Sequence, residues 1–170
     1  MSYFELLALP PHFSMNLKAL EQAYFTAQRA THPDRFIGKG DAERSAAISR
    51  SQLVNDAYET LKNPLTRAEH LLELQGMDPL SDDTVAPPDI LAEMMDLRER
   101  IFDSGSNGAL LAALVGEIRA LAATNEGEIT RAFDEADYKR AMNETIRLQY
   151  LGKAMEEAHM LIYRLKANHG

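Results

Sequence analysis

Apolar residues recur along this chain at three- and four-residue steps almost throughout. That is the period of a helix with one buried face, and no alternating strand pattern competes with it. A short apolar turn, Tyr3 to Leu9, stops at Pro10-Pro11. Asn16 can cap a helix from Leu17 to about Thr31, with Leu17, Leu20, Tyr24 and Ala27 on its apolar stripe. Proline disfavours helical geometry in the residue before it, so this helix ends at about His32, ahead of Pro33. A third helix is predicted from about Asp41 to Lys62, carrying Ile48, Leu53, Val54, Ala57, Tyr58 and Leu61. Asn63-Pro64 breaks it, Pro64 can open the first turn of a fourth helix through Leu74, and Gln75-Gly76 closes that helix.

Residues 77–88 hold three of the seven prolines and read as a linker. Three more helices follow, at about 88–103, 108–125 and 134–167. Asp103 to Gly108 separates the first two. The last has a heptad-like rhythm in Tyr138, Met142, Thr145, Leu148, Leu151, Met155, Ala158, Ile162 and Leu165. The pattern predicts an all-α chain of two modules, 1–76 and 88–170, joined through 77–87. Each is large enough for only a modest core.

Charge divides the modules. The chain carries a net −8, which argues against nucleic acid as the main partner, since phosphate backbones call for clustered Lys and Arg. Residues 1–76 have eight Lys/Arg and nine Asp/Glu, whereas residues 77–170 have ten and seventeen. The acid therefore belongs to the second module. No cysteine is present, so thiol chemistry and Cys-ligated metal by this chain alone are excluded. The N-terminus has no basic region followed by an apolar run, and no apolar stretch approaches the roughly 18 residues that span a bilayer. A cytoplasmic protein without a membrane partner is the expectation.

His32-Pro33-Asp34 is the densest chemistry on the chain: an imidazole, a rigid ring and a carboxylate at a helix end, with Arg29 and Arg35 nearby. By itself it allows three readings. It can be a helix stop, with His favoured by the helix dipole and Asp by the turn. It can be a docking loop. It can be the acid–base or metal pair of a small helical hydrolase, though no nucleophile, oxyanion hole or Gly-rich phosphate loop accompanies it. Gly38-Lys39-Gly40 is too short for a phosphate loop, and His12, His70, His159 and His169 show no metal-ligand spacing.

The ordered set Tyr3-Phe4-Glu5-Leu6-Leu7, Tyr24, His32-Pro33-Asp34 and Asn55-Asp56-Ala57-Tyr58-Glu59-Thr60-Leu61 resembles a J-domain. The run from Asn63 to Gly76, Leu97-Arg98-Glu99 and Ile146-Arg147-Leu148-Gln149-Tyr150-Leu151 narrow the likeness to the HscB family, the J-type co-chaperones of iron–sulfur cluster biogenesis. The resemblance implies an N-terminal J-domain hairpin and a C-terminal three-helix bundle in a roughly L-shaped arrangement. It implies a protein that is not itself an enzyme and needs no cofactor. Its J-domain would recruit an HscA/DnaK-class chaperone and stimulate that partner's ATPase, while its bundle would hold an IscU-type cluster scaffold. A general J-domain co-chaperone with another client is the alternative.

Carried onto this sequence, the resemblance makes His32, Pro33 and Asp34 the chaperone-docking residues. Lys18, Arg29 and Arg35 are candidates for the assisting basic face. Phe25 and Thr26 stand just after Tyr24, where general J-domains are often basic, which suggests a specialised partner or weaker steering. The scaffold-binding positions become Leu91, Ala92, Met95, Asp96, Glu99, Asp103 and Tyr150. Ala92 is smaller than the apolar residue expected, and Tyr150 replaces a Phe. Ile90, Met94, Leu97 and Ile101 form the core stripe of the same helix, with Leu91, Met95 and Phe102 a second apolar row and Ala92, Asp96, Glu99 and Asp103 a mostly acidic one. Leu91 and Met95 could instead belong to the core, with the acids merely solvated.

Overall fold

The computed structural model describes residues 1–81 and 84–168, with the backbone alone given for Pro33 and Asn168. His169 lies outside the described residues. Regular structure among the described residues is entirely helical. The chain divides into two compact units, Met1–Gly76 and Met77–Gly170.

The first unit holds α1 (Tyr3–Leu6), α2 (Leu17–Thr31), α3 (Asp41–Lys62) and α4 (Pro64–Glu73). Each start has a local cause. Ser2 and Glu5 form a reciprocal capping box on α1. Asn16 Oδ1 accepts from the Lys18 and Ala19 amides at the head of α2. Asn63 Oδ1 accepts from Leu65, with Pro64 in the first turn of α4. α2 and α3 form an antiparallel hairpin whose buried row on α3 is Ala47, Val54, Ala57 and Leu61. Ile48 and Leu53 are exposed because each sits one residue, about 100°, off that row. Leu17, in the first turn of α2, is exposed as well. Phe4, Leu7, Phe13, Leu20, Ala68 and Leu72 complete the core.

Two contacts tie α4 down. The buried Arg67 donates from Nη1 to the Leu61 carbonyl at 2.8 Å, its guanidinium 4.9 Å above the Phe13 ring. His70 Nε2 accepts from the Tyr3 amide at 3.2 Å, and its ring stacks on that of Tyr3.

The second unit contains α5 (Pro88–Asp103), α6 (Gly108–Asp134) and α7 (Tyr138–Asn168). Its core joins Ile90, Met94, Leu97 and Ile101 of α5 to Leu111, Leu114, Val115 and Ile118 of α6 and Leu151, Ala154 and Ala158 of α7. α6 runs past the expected end near residue 125 because its buried row continues through Asn125, Ile129 and Ala132, facing Ala141 and Thr145 on α7. Asn125 is polar and only 3% exposed; its Nδ2 donates to Glu144 Oε2 at 2.7 Å, while its Oδ1 has no hydrogen-bond partner among the described residues. α7 begins correspondingly late, at Tyr138, after a turn in which Ala136 takes φ +55°.

By length and composition α6 could cross a bilayer, contrary to the sequence expectation. Its apolar row is committed instead to the core with α5 and α7, and Glu117 at mid-helix is paired with Arg100.

Candidate docking surfaces

The first surface is built at the end of the α2–α3 hairpin. Two polar pairs with helical i,i+4 spacing, Tyr24/Gln28 and Ser51/Asn55, face each other across it. Tyr24 Oη donates to Asn55 Oδ1 at 3.0 Å, Gln28 Nε2 donates to the same oxygen, and Ser51 Oγ donates to Gln28 Oε1 at 3.2 Å. The Tyr24 and Tyr58 rings stack with centroids 4.4 Å apart. This lock fixes the register of α2 against α3 and so fixes where the loop beyond α2 emerges.

His32 leaves the helix at φ −59°, ψ 128°, and Pro33 opens a 3₁₀ turn, Pro33–Phe36. The His32 Nδ1 accepts from the Asp34 amide at 3.3 Å, and Arg35 N donates to the His32 carbonyl at 3.1 Å. A ring nitrogen that accepts this bond carries no proton, so in this arrangement the ring's donor is Nε2. The Asp34 carboxylate lies 3.5 Å from Nδ1. Both side chains are well exposed. Arg35 Nη1 donates to the Arg29 carbonyl at 3.1 Å, covering a bare carbonyl at the end of α2. Gly38, at φ +87°, provides the reversal that returns the chain to α3.

Arg29, His32, Asp34 and Arg35 are thus brought to one end of the hairpin. Lys18 is not, since it stands about 21 Å back along α2 at 1.5 Å per residue. It does share an exposed stripe with Arg29, through Gln22 and Phe25 at steps of four, three and four.

The second surface lies on α5. The core stripe is buried as its spacing predicts, while Leu91 is 38%, Met95 72% and Phe102 81% exposed. Leu91 and Met95 are therefore not core residues. Ala92, Asp96, Glu99 and Asp103 are exposed on the adjacent row. Arg98 crosses from α5 to Glu157 of α7 at 3.3 Å. Tyr150 is half-buried against the bundle core, with Lys153 Nζ 5.6 Å from its ring centroid. The arrangement offers apolar contact beside carboxylates, which suits a partner with an apolar patch edged by Lys or Arg.

Two charge assemblies on the same unit were not legible as motifs. Arg100 forks onto Glu117 with Nη1–Oε1 at 2.8 Å and Nη2–Oε2 at 2.5 Å. These hydrogen bonds hold the Glu117 carboxyl below its ordinary 4.5. Arg147 donates from Nη1 to Glu93 and lies beside Glu144 and Asp89. Its Nε is 3.2 Å from Glu144 Oε2 but misaligned for a hydrogen bond, so that contact is Coulombic. Only the i,i+3 spacing of Glu144 and Arg147 could have signalled the cluster, because Glu93 arrives from another helix. Among the described residues no group of three or more His, Asp or Glu side chains could hold a metal ion.

The family model for the HSCB C-terminal oligomerisation domain matches residues 86–159, which span α5, α6 and most of α7. The co-chaperone protein HscB of Proteus mirabilis is 36% identical over 97% of this chain and 98% of its own length. The chain belongs to the HscB co-chaperone family. An HscB homolog from Paraburkholderia xenovorans is 33% identical over 97% of this chain and 96% of its own. Among solved structures, the chaperone HscB from Vibrio cholerae superposes with a TM-score of 0.83 at 30% identity, covering 97% of this chain and 99% of that one. The human co-chaperone protein HscB gives 0.84 at 26% identity, covering 94% and 81%. The full-length likeness makes the helices after Pro64 part of an HscB architecture rather than an appendage to a general J-domain.

Proposed function

We propose that this HscB-family protein is an adaptor for iron–sulfur cluster assembly. His32-Pro33-Asp34 engages an HscA/DnaK-class chaperone in its ATP state and accelerates that partner's hydrolysis. The α5 face, Leu91, Ala92, Met95, Asp96, Glu99 and Asp103 with Tyr150, holds an IscU-type scaffold. The tether between the two modules then presents the scaffold to the chaperone at high effective concentration, and hydrolysis traps it there. The adaptor makes and breaks no covalent bond, and a cytoplasmic setting is part of the same reading.

The observation that carries the reading is the exposed loop, whose internal hydrogen bonds already fix its shape while the His32 and Asp34 side chains stay accessible to a partner. A preformed loop loses little conformational freedom on docking. Pro33, with φ fixed by its ring, contributes to that preorganisation. The lock of Tyr24, Gln28, Ser51 and Asn55 supports it from the hairpin.

Steady-state ATP turnover by an HscA-class chaperone, with increasing amounts of this protein, tests the first half. Wild-type protein accelerates turnover and His32→Gln does not; equal acceleration by both would remove the docking role. Calorimetric titration with an IscU-type scaffold tests the second half. Unchanged affinity in a Leu91→Ala/Met95→Ala/Tyr150→Ala variant would move the scaffold elsewhere.

A further inference from the structure

The exposed stripe on α2 has an aromatic centre. Phe25 lies between Lys18 and Arg29 on that stripe and is 52% exposed, so it contributes little to the core of its unit. Its ring is not loose. It rests against Tyr24 at 5.4 Å between centroids, and Tyr24 is held in turn by Tyr58 and Asn55. With Gln28, Arg29, His32 and Arg35 it lines a shallow depression that opens beside the His32-Pro33-Asp34 loop. A large apolar side chain, steadied by its neighbour and ringed by charged groups, has the anatomy of an interface hot spot. The cations Lys18, Arg29 and Arg35 are spread along this side, and their attraction to a partner is long-ranged and screened by salt.

We propose that Phe25 is the apolar anchor by which this module docks on its chaperone, inserting into an apolar pocket on the partner ATPase whose rim carries carboxylates. The rim meets Arg29 and Arg35 beside the loop, with Lys18 two turns back along α2 from Phe25. The inference rests on the adaptor reading, because it requires the partner to dock over this loop. Phe25 supplies affinity, while His32 and Asp34 act once the complex has formed. Two consequences follow. Truncating Phe25 weakens docking without lowering the stimulation reached at saturation. Adding positive charge at this position does not restore docking, since the lost contact is apolar.

The experiment titrates an HscA-class chaperone with wild-type protein and with Phe25→Ala, Phe25→Lys, Phe25→Leu and His32→Gln, reading ATP turnover at each concentration. Circular dichroism melts confirm that each variant is folded. Expected is a half-saturating concentration raised about tenfold or more in Phe25→Ala and Phe25→Lys, with the wild-type plateau still approached. Phe25→Leu should stay within a few-fold of wild type, and His32→Gln should lose the plateau itself. A Phe25→Ala half-saturation within twofold of wild type, while His32→Gln is inactive, would overturn the inference and leave the adaptor reading standing. A Phe25→Lys variant that docks better than wild type would also overturn it. Failure of the wild-type protein to stimulate at all would overturn the adaptor reading and this inference with it.

Discussion

Leu91 and Met95 stand one turn apart on the same row of α5 but differ in how much of each is already covered. Leu91 is 38% exposed and Met95 72%. Truncation to alanine therefore separates folding from binding. Deleting a fully buried Leu side chain to Ala costs about 2–5 kcal/mol. With over a third of Leu91 already in water, its share falling on folding is about 1–2 kcal/mol. Met95 is mostly solvated, so Met95→Ala should change stability by no more than about 0.5 kcal/mol. If the row is the scaffold face, binding reverses the order. Met95 has the larger apolar area left to bury, and its loss should cost about 1.5–2 kcal/mol, or about ten- to thirtyfold in Kd. Urea unfolding followed by circular dichroism gives the first quantity, and calorimetric titration with an IscU-type scaffold gives the second. Met95→Ala should keep the wild-type urea midpoint and bind at least about tenfold more weakly, whereas Leu91→Ala should lower the midpoint and weaken binding less. Wild-type affinity in Met95→Ala, or a midpoint shift equal to that of Leu91→Ala, would refute the reasoning.

Three further outcomes test the second unit. Arg147→Met removes the cation between Glu93 and Glu144, both largely covered, and should destabilise the unit by about 1–3 kcal/mol in urea unfolding; a wild-type midpoint would show the cluster to be solvated charge. The Arg100 fork holds the Glu117 carboxyl below its ordinary 4.5 in the folded protein, so its stabilisation is present above that pH and is lost as pH falls through the depressed folded value. Melting temperatures from about pH 3 to 7 should fall less steeply below pH 4.5 in Arg100→Met than in wild type, and parallel curves would contradict the pairing. Ala136 occupies left-handed backbone at φ +55°, so the roughly 1 kcal/mol relieved by glycine offsets its extra unfolded-state entropy. Ala136→Gly should fall between neutral and about 0.5 kcal/mol stabilising in urea unfolding, whereas Ala141→Gly, inside α7 and fully buried, should cost more than about 1 kcal/mol.

Much of the fold was legible because its signals are local. Pro33 and Pro64 mark boundaries through steric effects on their immediate neighbours, and Asn16 and Asn63 cap through bonds spanning two or three residues. The end of α6 was not legible. The spacing put its end near residue 125, yet the helix continues along a buried row through Ile129 and Ala132, and Asn125 Nδ2 donates to Glu144, nineteen residues away on α7. The residues proposed to dock divide the same way. His32 and Asp34 share one loop, and their exposure follows from a helix that must end there. Whether Leu91 and Met95 lay in the core or on the surface depended on which side of α5 the other helices cover, which the row spacing left open.

By itself the sequence determined the helices up to residue 103, the break between two modules and the family. Each of these depends on period, capping or an ordered motif within reach of the local chain. Tertiary structure decided which of two adjacent apolar rows on α5 is buried and how far α6 extends. It also decided that Phe25 stands exposed beside the loop rather than folded into the hairpin. These outcomes depend on what a neighbouring helix covers and on which distant polar group answers a hydrogen bond. A periodic sequence pattern can place a residue on a face, but only packing against another element decides whether that face is covered.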